Sequence, residues 1–205
     1  MGGIGMSHYF TTDSRFSENR KKISFRFLGV LETFNSSDGL FSKDTLDYGS
    51  RVLLETIVNL DISGKVADLG CGIGVIGILV KKYHPEIDLT MIDVNENAVS
   101  IYQLNSQLYG QNNRSIVSFG LNNLKGEKFD YILSNSPIRT GKKVIYQLFE
   151  QSIDALNPGG KLIIVIRKQQ GAQSAIKYLE SISNKVEVLN KDSGYWIISA
   201  QKSLN

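Results

Sequence analysis

The feature of the sequence that most constrains its fold is a regular alternation of strand and helix patterns from Arg51 onward. A short apolar segment, Lys65–Leu69, leads through a glycine-rich turn into a helical pattern that ends near Tyr83, and Asp88–Asp93 has the pattern of the next strand. Strands joined by helices pair in parallel, because each helix returns the chain to the same edge of the sheet. The sequence therefore predicts an α/β fold with a doubly wound, mostly parallel sheet, which binds ligands at the carboxyl ends of its strands.

The remaining segments extend this pattern and add a small β extension before it. Strands are predicted at Ile23–Leu28 and Val30–Phe34, followed by turn residues at 35–39. Asn95 is placed to cap a helix, and Pro158–Gly160 to end one. The other predicted elements are the helices Arg51–Leu60, Lys142–Leu156 and Ala172–Ile182, the strands Ile116–Phe119, Tyr131–Ser134 and Leu162–Arg167, and a C-terminal antiparallel hairpin of Val186–Leu189 with Tyr195–Ala200. A change of pattern near residues 44–50 predicts an N-terminal β extension of residues 1–45, packed on a main domain of residues 46–205.

Composition excludes several classes of protein. The chain has 205 residues, 41% of them hydrophobic and 21% charged, which is typical of globular domains and not of disordered or collagen-like chains. The single cysteine, Cys71, excludes a disulfide framework and a cysteine zinc cluster, and indicates a reducing compartment. The apolar runs Val75–Val80 and Leu162–Ile166 are too short to cross a bilayer, and the N-terminus lacks a signal-peptide pattern. We therefore expect a cytoplasmic protein with no membrane or metal partner, and a monomer is the favoured oligomeric state.

The turn after Lys65–Leu69 is the first candidate binding site. Its glycines permit positive φ and let a ligand approach the backbone, although a tight strand-to-helix turn has the same composition. The segment Gly72–Gly77 also matches the dinucleotide fingerprint GxGxxG. Gly70 and Cys71 separate this match from the end of the strand, however, where the fingerprint begins. The glycine spacing alone therefore leaves the ligand open.

Two carboxylates favour S-adenosylmethionine over NAD at this turn. Asp68 lies beside the glycines, where it would repel a pyrophosphate and suits the sulfonium and amino groups of S-adenosylmethionine. Asp93 ends the next strand, where a carboxylate can accept hydrogen bonds from both ribose hydroxyls, although it can also cap the following helix. A nucleotide-dependent oxidoreductase is the alternative that the offset fingerprint leaves open.

A second loop, Ser134–Ile138 followed by Arg139–Lys143, comes after a later strand. A proline-bearing loop before a helix is common, but in this position the sequence resembles class I S-adenosylmethionine-dependent methyltransferases with an Asn-Pro-Pro-aromatic motif. More narrowly, it resembles the methyltransferase small group and is similar to the ribosomal RNA guanine-N2 methyltransferases of the RsmC type. The resemblance covers nearly the whole chain, through the segments His8–Phe10, Ile23–Phe25, Gly39–Ser42, Asp47–Ser50, Asp68–Gly74, Asp93–Asn95, Asn135–Lys143 and Lys168–Gly171.

The resemblance implies a Rossmann-like methyltransferase domain and a role for individual residues. Asn135 and the backbone carbonyl of Ser136, in a loop with Pro137, are expected to accept the two hydrogens of a substrate amine. The nitrogen lone pair then turns toward the methyl group, with catalysis by positioning and electrostatics. The expected cofactor-binding residues are Asp68, Gly70, Cys71, Gly72, Gly74, Asp93, Val94 and Gly120. The expected substrate-binding residues are Phe41, Ile138, Arg139, Lys142 and Lys143.

The chain departs from the family pattern at three positions. Ser136 replaces the first proline of the motif, which keeps the backbone carbonyl but loosens the loop. Ile138 replaces the aromatic residue, so that a flipped base loses a stacking partner, for which Phe41 or His8–Phe10 can substitute. Gly120 stands where many relatives carry an acid that binds the adenine amino group. Either Asn122 or Asn123 is expected to take the place of that acid, and the alternative is a lower affinity for the cofactor.

Three basic clusters indicate an RNA partner. The net charge is only +3, but basic residues gather near the N-terminus, around the second loop and after the last parallel strand. Any one of these clusters can be a solvated face, whereas three that converge on one rim favour a phosphate backbone. The clusters are Arg15, Arg20, Lys21, Lys22 and Arg26, then Arg139, Lys142 and Lys143, and finally Arg167 and Lys168.

These observations together predict a methyltransferase that acts on an exocyclic amino group of RNA. Guanine N2 of 16S ribosomal RNA, naked or in a small-subunit particle, is the expected target. Methylation of another amino or amide nitrogen, in adenine or a protein glutamine, is the alternative within enzymes. A cofactor-binding, RNA-associated protein with little turnover is the alternative outside them.

Overall fold

A computed structural model describes residues 20–37, 45–135 and 141–205 of the chain. The strands are β1 (Arg20–Phe27), β2 (Val30–Ser37), β3 (Lys65–Leu69), β4 (Asp88–Asp93), β5 (Arg114–Val117), β6 (Phe129–Ser134), β7 (Leu156–Arg167), β8 (Lys185–Asp192) and β9 (Tyr195–Gln201). The helices are α1 (Tyr48–Ile57), α2 (Val75–Tyr83), α3 (Glu96–Leu108), α4 (Lys142–Ala155) and α5 (Ala172–Ile182). None of the helices in these ranges has the length and hydrophobicity needed to cross a membrane.

Seven strands form one sheet in the order β5-β4-β3-β6-β7-β9-β8. The first five of these pair in parallel, and β9 pairs antiparallel with both β7 and β8. The order reverses at β3, because the chain adds β4 and β5 on one side of it and then returns to place β6 on the other. In a doubly wound sheet this reversal opens a crevice at the carboxyl ends of the strands. The structure thus confirms the predicted fold class, including the C-terminal antiparallel hairpin.

The sheet separates two hydrophobic clusters, one on each face. Helices α1, α2 and α3 and the β1–β2 hairpin cover one face, and α4 and α5 cover the other. Alternate residues of the central strands enter opposite clusters, as Val66 and Ala67 of β3 do. Strands buried on both faces favour apolar side chains on both, which explains the continuous apolar run Leu162–Ile166 of β7.

The N-terminal hairpin is held to the main domain by a buried asparagine. Asn105 of α3 is fully buried, and its Oδ1 accepts a hydrogen bond from the backbone N–H of Asn35 at 2.6 Å. Its Nδ2 donates to the carbonyl oxygens of Asn35, at 3.0 Å, and of Ile73, at 2.8 Å. Asn105 therefore joins β2 to the glycine-rich turn, and Asn35–Ser37 continue β2 instead of forming the predicted turn. The division of the chain at residue 45 stays a prediction.

Two further boundaries differ from the prediction. Helix α1 begins at Tyr48, ahead of Arg51, because the Asp47 side chain caps it by accepting a hydrogen bond from the Ser50 N–H at 3.0 Å. Strand β7 begins at Leu156, directly after α4, so that residues 158–160 lie within the strand. A Cβ at Gly160 would lie 3.0 Å from the carbonyl oxygen of Asp130, and glycine is what permits this close approach.

We expect Asn105→Ala to lower the free energy of unfolding by about 2–4 kcal/mol, because buried backbone groups of Asn35 and Ile73 lose their partners. Urea denaturation of both proteins measures the difference. Gln107→Ala, an exposed change on the same helix, is the matched control and should alter stability by less than about 0.5 kcal/mol. Equal stabilities for Asn105→Ala and the control would contradict this account of the hairpin.

Candidate active site

The turns after β3 and β4 are hydrogen bonded to each other. Asp93 Oδ2 accepts a hydrogen bond from the Gly72 N–H at 2.8 Å, and its Oδ1 accepts one from the Asn95 N–H at 2.9 Å. The N–H groups of Gly70 and Cys71 both donate to the carbonyl oxygen of Ile92, at 2.8 and 3.0 Å. Each Asp93 oxygen keeps a second lone pair, so the carboxylate can still accept hydrogen bonds from a bound ligand.

A cavity of about 180 Å³ opens between these turns. Its wall includes four of the predicted cofactor-binding residues, namely Gly70, Asp93, Val94 and Gly120. The other lining residues are Leu69, Ile92, Ser118, Phe119, Val144 and Leu148. Sequence reasoning missed these, partly because it placed Phe119 in a strand that in fact ends at Val117. The exposed apolar side chains of Val94 and Phe119 give the cavity two surfaces on which a flat ring can pack.

Gly120 is favoured by its backbone conformation, since its φ is +55°. A Cβ there would lie 2.1 Å from Gln151 Oε1 and 2.7 Å from Leu148 Cδ2, so the ends of both side chains would have to move. An acidic side chain at this position would therefore strain the backbone. The two asparagines considered as replacements for the adenine-binding acid form other hydrogen bonds. Asn122 Oδ1 accepts one from Gln151, and Asn123 Nδ2 donates one to the carbonyl oxygen of Val117. Neither asparagine lines the cavity.

Asp68 lies buried beneath the glycine-rich turn. Its Oδ2 accepts a hydrogen bond from the Gly77 N–H at 2.8 Å, while its Oδ1 has no partner among the described residues. Burial raises the pKa of Asp68 to about 7, because the ionised carboxylate loses its hydration. Gly77, the last glycine of the fingerprint, leaves room for this contact, since a Cβ there would lie 3.0 Å from Asp68 Oδ2 and closer still to the sulfur of Met91.

The three predicted residues Asp68, Cys71 and Gly74 are buried and do not line the cavity. Gly74, with φ +91°, precedes α2 as its N-cap, and a Cβ there would lie 2.7 Å from the Tyr102 ring. Gly72 has φ +55° and open space around the Cβ position, so its backbone is accessible. The contributions of these four residues to cofactor binding stay predictions.

The residues present fit S-adenosylmethionine. A buried carboxylate with an unpartnered oxygen gains from a nearby positive charge, which a sulfonium or ammonium group supplies. Asp93 offers lone pairs for ribose hydroxyls at the cavity wall. Val94 and Phe119 offer apolar surface for an adenine ring.

Asn135 follows β6 at the same edge of the sheet. Its Nδ2 donates to the Ser50 hydroxyl at 2.7 Å and lies 3.5 Å from Asp47 Oδ1. The hydroxyl of the preceding Ser134 donates to the carbonyl oxygen of Leu69, at the end of β3, at 3.0 Å. These contacts join the loop after β6 to the start of α1 and to the glycine-rich turn. They fix the Asn135 amide with its oxygen directed away from Asp47 and Ser50.

The remaining predicted site residues fall into two groups. Lys142 and Lys143 are exposed in the first turn of α4, next to Val144, which lines the cavity. The others lie outside the described residues: Phe41, Ser136, Pro137, Ile138 and Arg139.

Comparison with known proteins decides the family. The model of the methyltransferase small domain matches residues 32–199. The chain belongs to this family. The match confirms the methyltransferase prediction and its cofactor, S-adenosylmethionine.

Individual relatives agree with this assignment. An uncharacterised protein of Bacillus subtilis, YbxB, is 40% identical over 197 residues, which are 95% of this chain and 98% of that protein. The ribosomal RNA small subunit methyltransferase C of Vibrio parahaemolyticus is 36% identical over 178 residues, which are 83% of this chain but 50% of that protein. The chain thus spans about half the length of that relative.

A solved structure shares the fold. The 16S rRNA N2 G1207 methyltransferase (RsmC) of T. thermophilus, in complex with AdoMet and guanosine, superposes with a TM-score of 0.80 over 90% of this chain and 51% of that one. The two sequences are 23% identical, so this likeness concerns the fold alone.

We expect Asp93→Ala to weaken the binding of S-adenosylmethionine at least about tenfold, because charge-assisted hydrogen bonds worth about 1.5–3 kcal/mol are lost. Isothermal titration calorimetry measures this affinity. Asp88→Ala is the matched control, since Asp88 begins the same strand at the edge opposite the cavity. An Asp93→Ala protein that is folded and binds the cofactor like the control would remove Asp93 from the site.

Proposed function

We propose that this methyltransferase acts on an exocyclic amino group of a base in RNA, and that the base is a guanine of 16S ribosomal RNA methylated at N2. The observation that carries the proposal is the fixed Asn135 amide, which follows Ser134, whose hydroxyl binds the carbonyl oxygen of Leu69 on the cavity wall. The names of the relatives support it, since several are ribosomal RNA small subunit methyltransferases and one was solved with guanosine.

The chemistry requires a hydrogen-bond acceptor and not a strong base. The exocyclic amine of guanine is a poor nucleophile, because its lone pair is delocalised into the ring. S-adenosylmethionine supplies, when bound, a methyl group on a positively charged sulfur. Asn135 Oδ1 accepts one amine hydrogen, and by the family motif the backbone carbonyl of Ser136 accepts the other. Holding both hydrogens turns the nitrogen lone pair toward the cavity, so that attack is in line.

The start of α1 orients this acceptor. Because Ser50 Oγ and Asp47 take the amide nitrogen of Asn135, the amide cannot flip without losing a 2.7 Å hydrogen bond. Asp47 in turn holds the Ser50 N–H, so that the helix cap and the amide position depend on the same carboxylate. Ser50 is buried, which protects the contact from competition by water.

We expect Asn135→Ala to reduce methyl transfer about a hundredfold or more, the scale for losing one oriented polar group, with cofactor affinity nearly unchanged. Ser50→Ala should reduce transfer less, by about tenfold, since the acceptor remains but is less well oriented. Incorporation of a tritiated methyl group into unmodified 16S ribosomal RNA measures both.

Asn59→Ala is the control for this series, because Asn59 follows the far end of α1 and its side chain, among the described residues, binds only the backbone of Glu55. Full turnover in Asn135→Ala would show that the amine-acceptor mechanism is wrong. Full turnover in Ser50→Ala alone would show that α1 does not orient the amide.

Exposed basic side chains at the start of α4 and on β1 support an RNA substrate. Lys142 and Lys143 are exposed at the start of α4, next to the cavity. Arg20 and Lys22 are exposed on β1, and Lys22 pairs in register with Asn35, which Asn105 links to the glycine-rich turn. A phosphate backbone that leads to the cavity can contact both groups.

We expect the double change of Lys142 and Lys143 to alanine to lower the slope of log affinity against log salt concentration by roughly 1.4, about 0.7 for each phosphate contact with single-stranded RNA. Fluorescence anisotropy of a ribooligonucleotide across a salt series measures the slope. Changing Lys65 and Lys125, which are exposed at the opposite edge of the sheet, is the matched control. Identical slopes for the two double variants would mean that Lys142 and Lys143 form only a solvated surface.

A further inference from the structure

Only two aromatic side chains are strongly exposed in the part of the chain that the structure describes, Phe119 and Tyr48, each at 42%. Phe119 lines the cofactor cavity. Tyr48 has no role in the site described above, yet it adjoins Asp47, whose carboxylate lies 3.5 Å from Asn135 Nδ2. Both exposed rings therefore lie at the carboxyl edge of the sheet, where the substrate has to approach.

The Tyr48 ring is held in place from two sides. Its hydroxyl donates to Asp192 Oδ2 at 2.9 Å, and its ring centroid lies 5.7 Å from that of Tyr195 at an interplanar angle of 44°. Gly49 permits this arrangement, because a Cβ there would lie 2.9 Å from the Tyr195 ring. A ring fixed in this way loses little conformational entropy when it binds a ligand.

The positively charged side chain of Arg167 lies next to Tyr195. Arg167, the last residue of β7, pairs in register with Tyr195, and its guanidinium carbon lies 5.0 Å from the centroid of that ring. The Arg167 side chain is exposed and follows the parallel strand toward the same edge as Asn135. The Tyr48 cluster, defined as Tyr48, Tyr195 and Arg167, thus combines an exposed aromatic ring with a positive charge.

This combination is the one that single-stranded nucleic acid requires. Bases stack on exposed aromatic rings, and arginine contacts the adjacent phosphates. The chain also carries Ile138 where the family motif has an aromatic residue, so the motif itself supplies no ring. We propose that the Tyr48 cluster is a stacking site for an unpaired base of the RNA that enters beside Asn135. This inference rests on the proposed function.

The test compares three changes at Tyr48. Tyr48→Ala removes the ring, Tyr48→Leu removes the ring but keeps apolar contact with Tyr195, and Tyr48→Phe keeps the ring but loses the hydrogen bond to Asp192. We expect Ala and Leu each to raise the dissociation constant for a single-stranded ribooligonucleotide, and KM for 16S ribosomal RNA, by about tenfold. Phe should stay within about twofold of wild type, and cofactor affinity should be unchanged in all three.

Two controls separate stacking from other effects. Tyr178→Ala changes a tyrosine on α5, on the opposite face of the sheet, and should leave RNA binding unchanged. The salt dependence of binding should fall in Arg167→Ala but not in Tyr48→Leu, because only arginine contacts phosphate. If Tyr48→Ala does not fold, Tyr48→Leu decides the result.

The outcomes distinguish the two proposals. If wild-type protein methylates RNA but Tyr48→Leu keeps the wild-type KM, the stacking site is wrong and the proposed function stands. If Tyr48→Phe loses as much RNA affinity as Tyr48→Leu, the ring acts through Asp192 and stacking is again wrong. If wild-type protein neither binds nor methylates RNA, both proposals fail.

Discussion

The site depends on hydrogen bonds that join chain segments leaving three neighbouring parallel strands. Asp93 holds Gly72, so the turn after β4 fixes the turn after β3. Ser134 binds the carbonyl oxygen of Leu69, so the loop after β6 is tied to the same place. Parallel strands bring their carboxyl ends to one edge, but these contacts are what set the relative positions of cofactor and amine acceptor. A loss at any one of them displaces groups that must align for methyl transfer.

The buried carboxylate of Asp68 lowers the stability of the fold but favours the binding of a cationic ligand. Its buried carboxyl has a pKa of about 7, far above the pKa of the same group in the unfolded chain. The free energy of unfolding therefore falls as the pH rises from about 4 through 7. Above that range the ionised carboxylate costs folding free energy, and a cationic ligand offsets the cost. The protein thus retains, under the glycine-rich turn, a carboxyl group whose ionised form is costly to bury. A buried ionisable group with a strongly shifted pKa is typical of functional sites.

The sequence predicted the elements that depend on local pattern and missed contacts between distant residues. The predicted bounds of β3, β4 and α5 agree with the structure, as does the end of α2 near Tyr83, because apolar periodicity and turn glycines define them. The extension of β2 was missed, since its partner Asn105 is 70 positions away from Asn35. The motif identified Asn135, yet nothing in the local sequence shows that Ser50, 85 positions earlier, orients its amide. The fit of Gly120 against Gln151 has the same long-range origin.

The most direct test of the central claim is nucleoside analysis of unmodified 16S ribosomal RNA after incubation with this protein and isotope-labelled S-adenosylmethionine. Digestion to nucleosides and mass spectrometry identify the atom that carries the label. The account predicts labelled N2-methylguanosine, absent when Asn135→Ala replaces the wild-type protein. Label in a methylated adenosine, in protein, or in no product at all would contradict it.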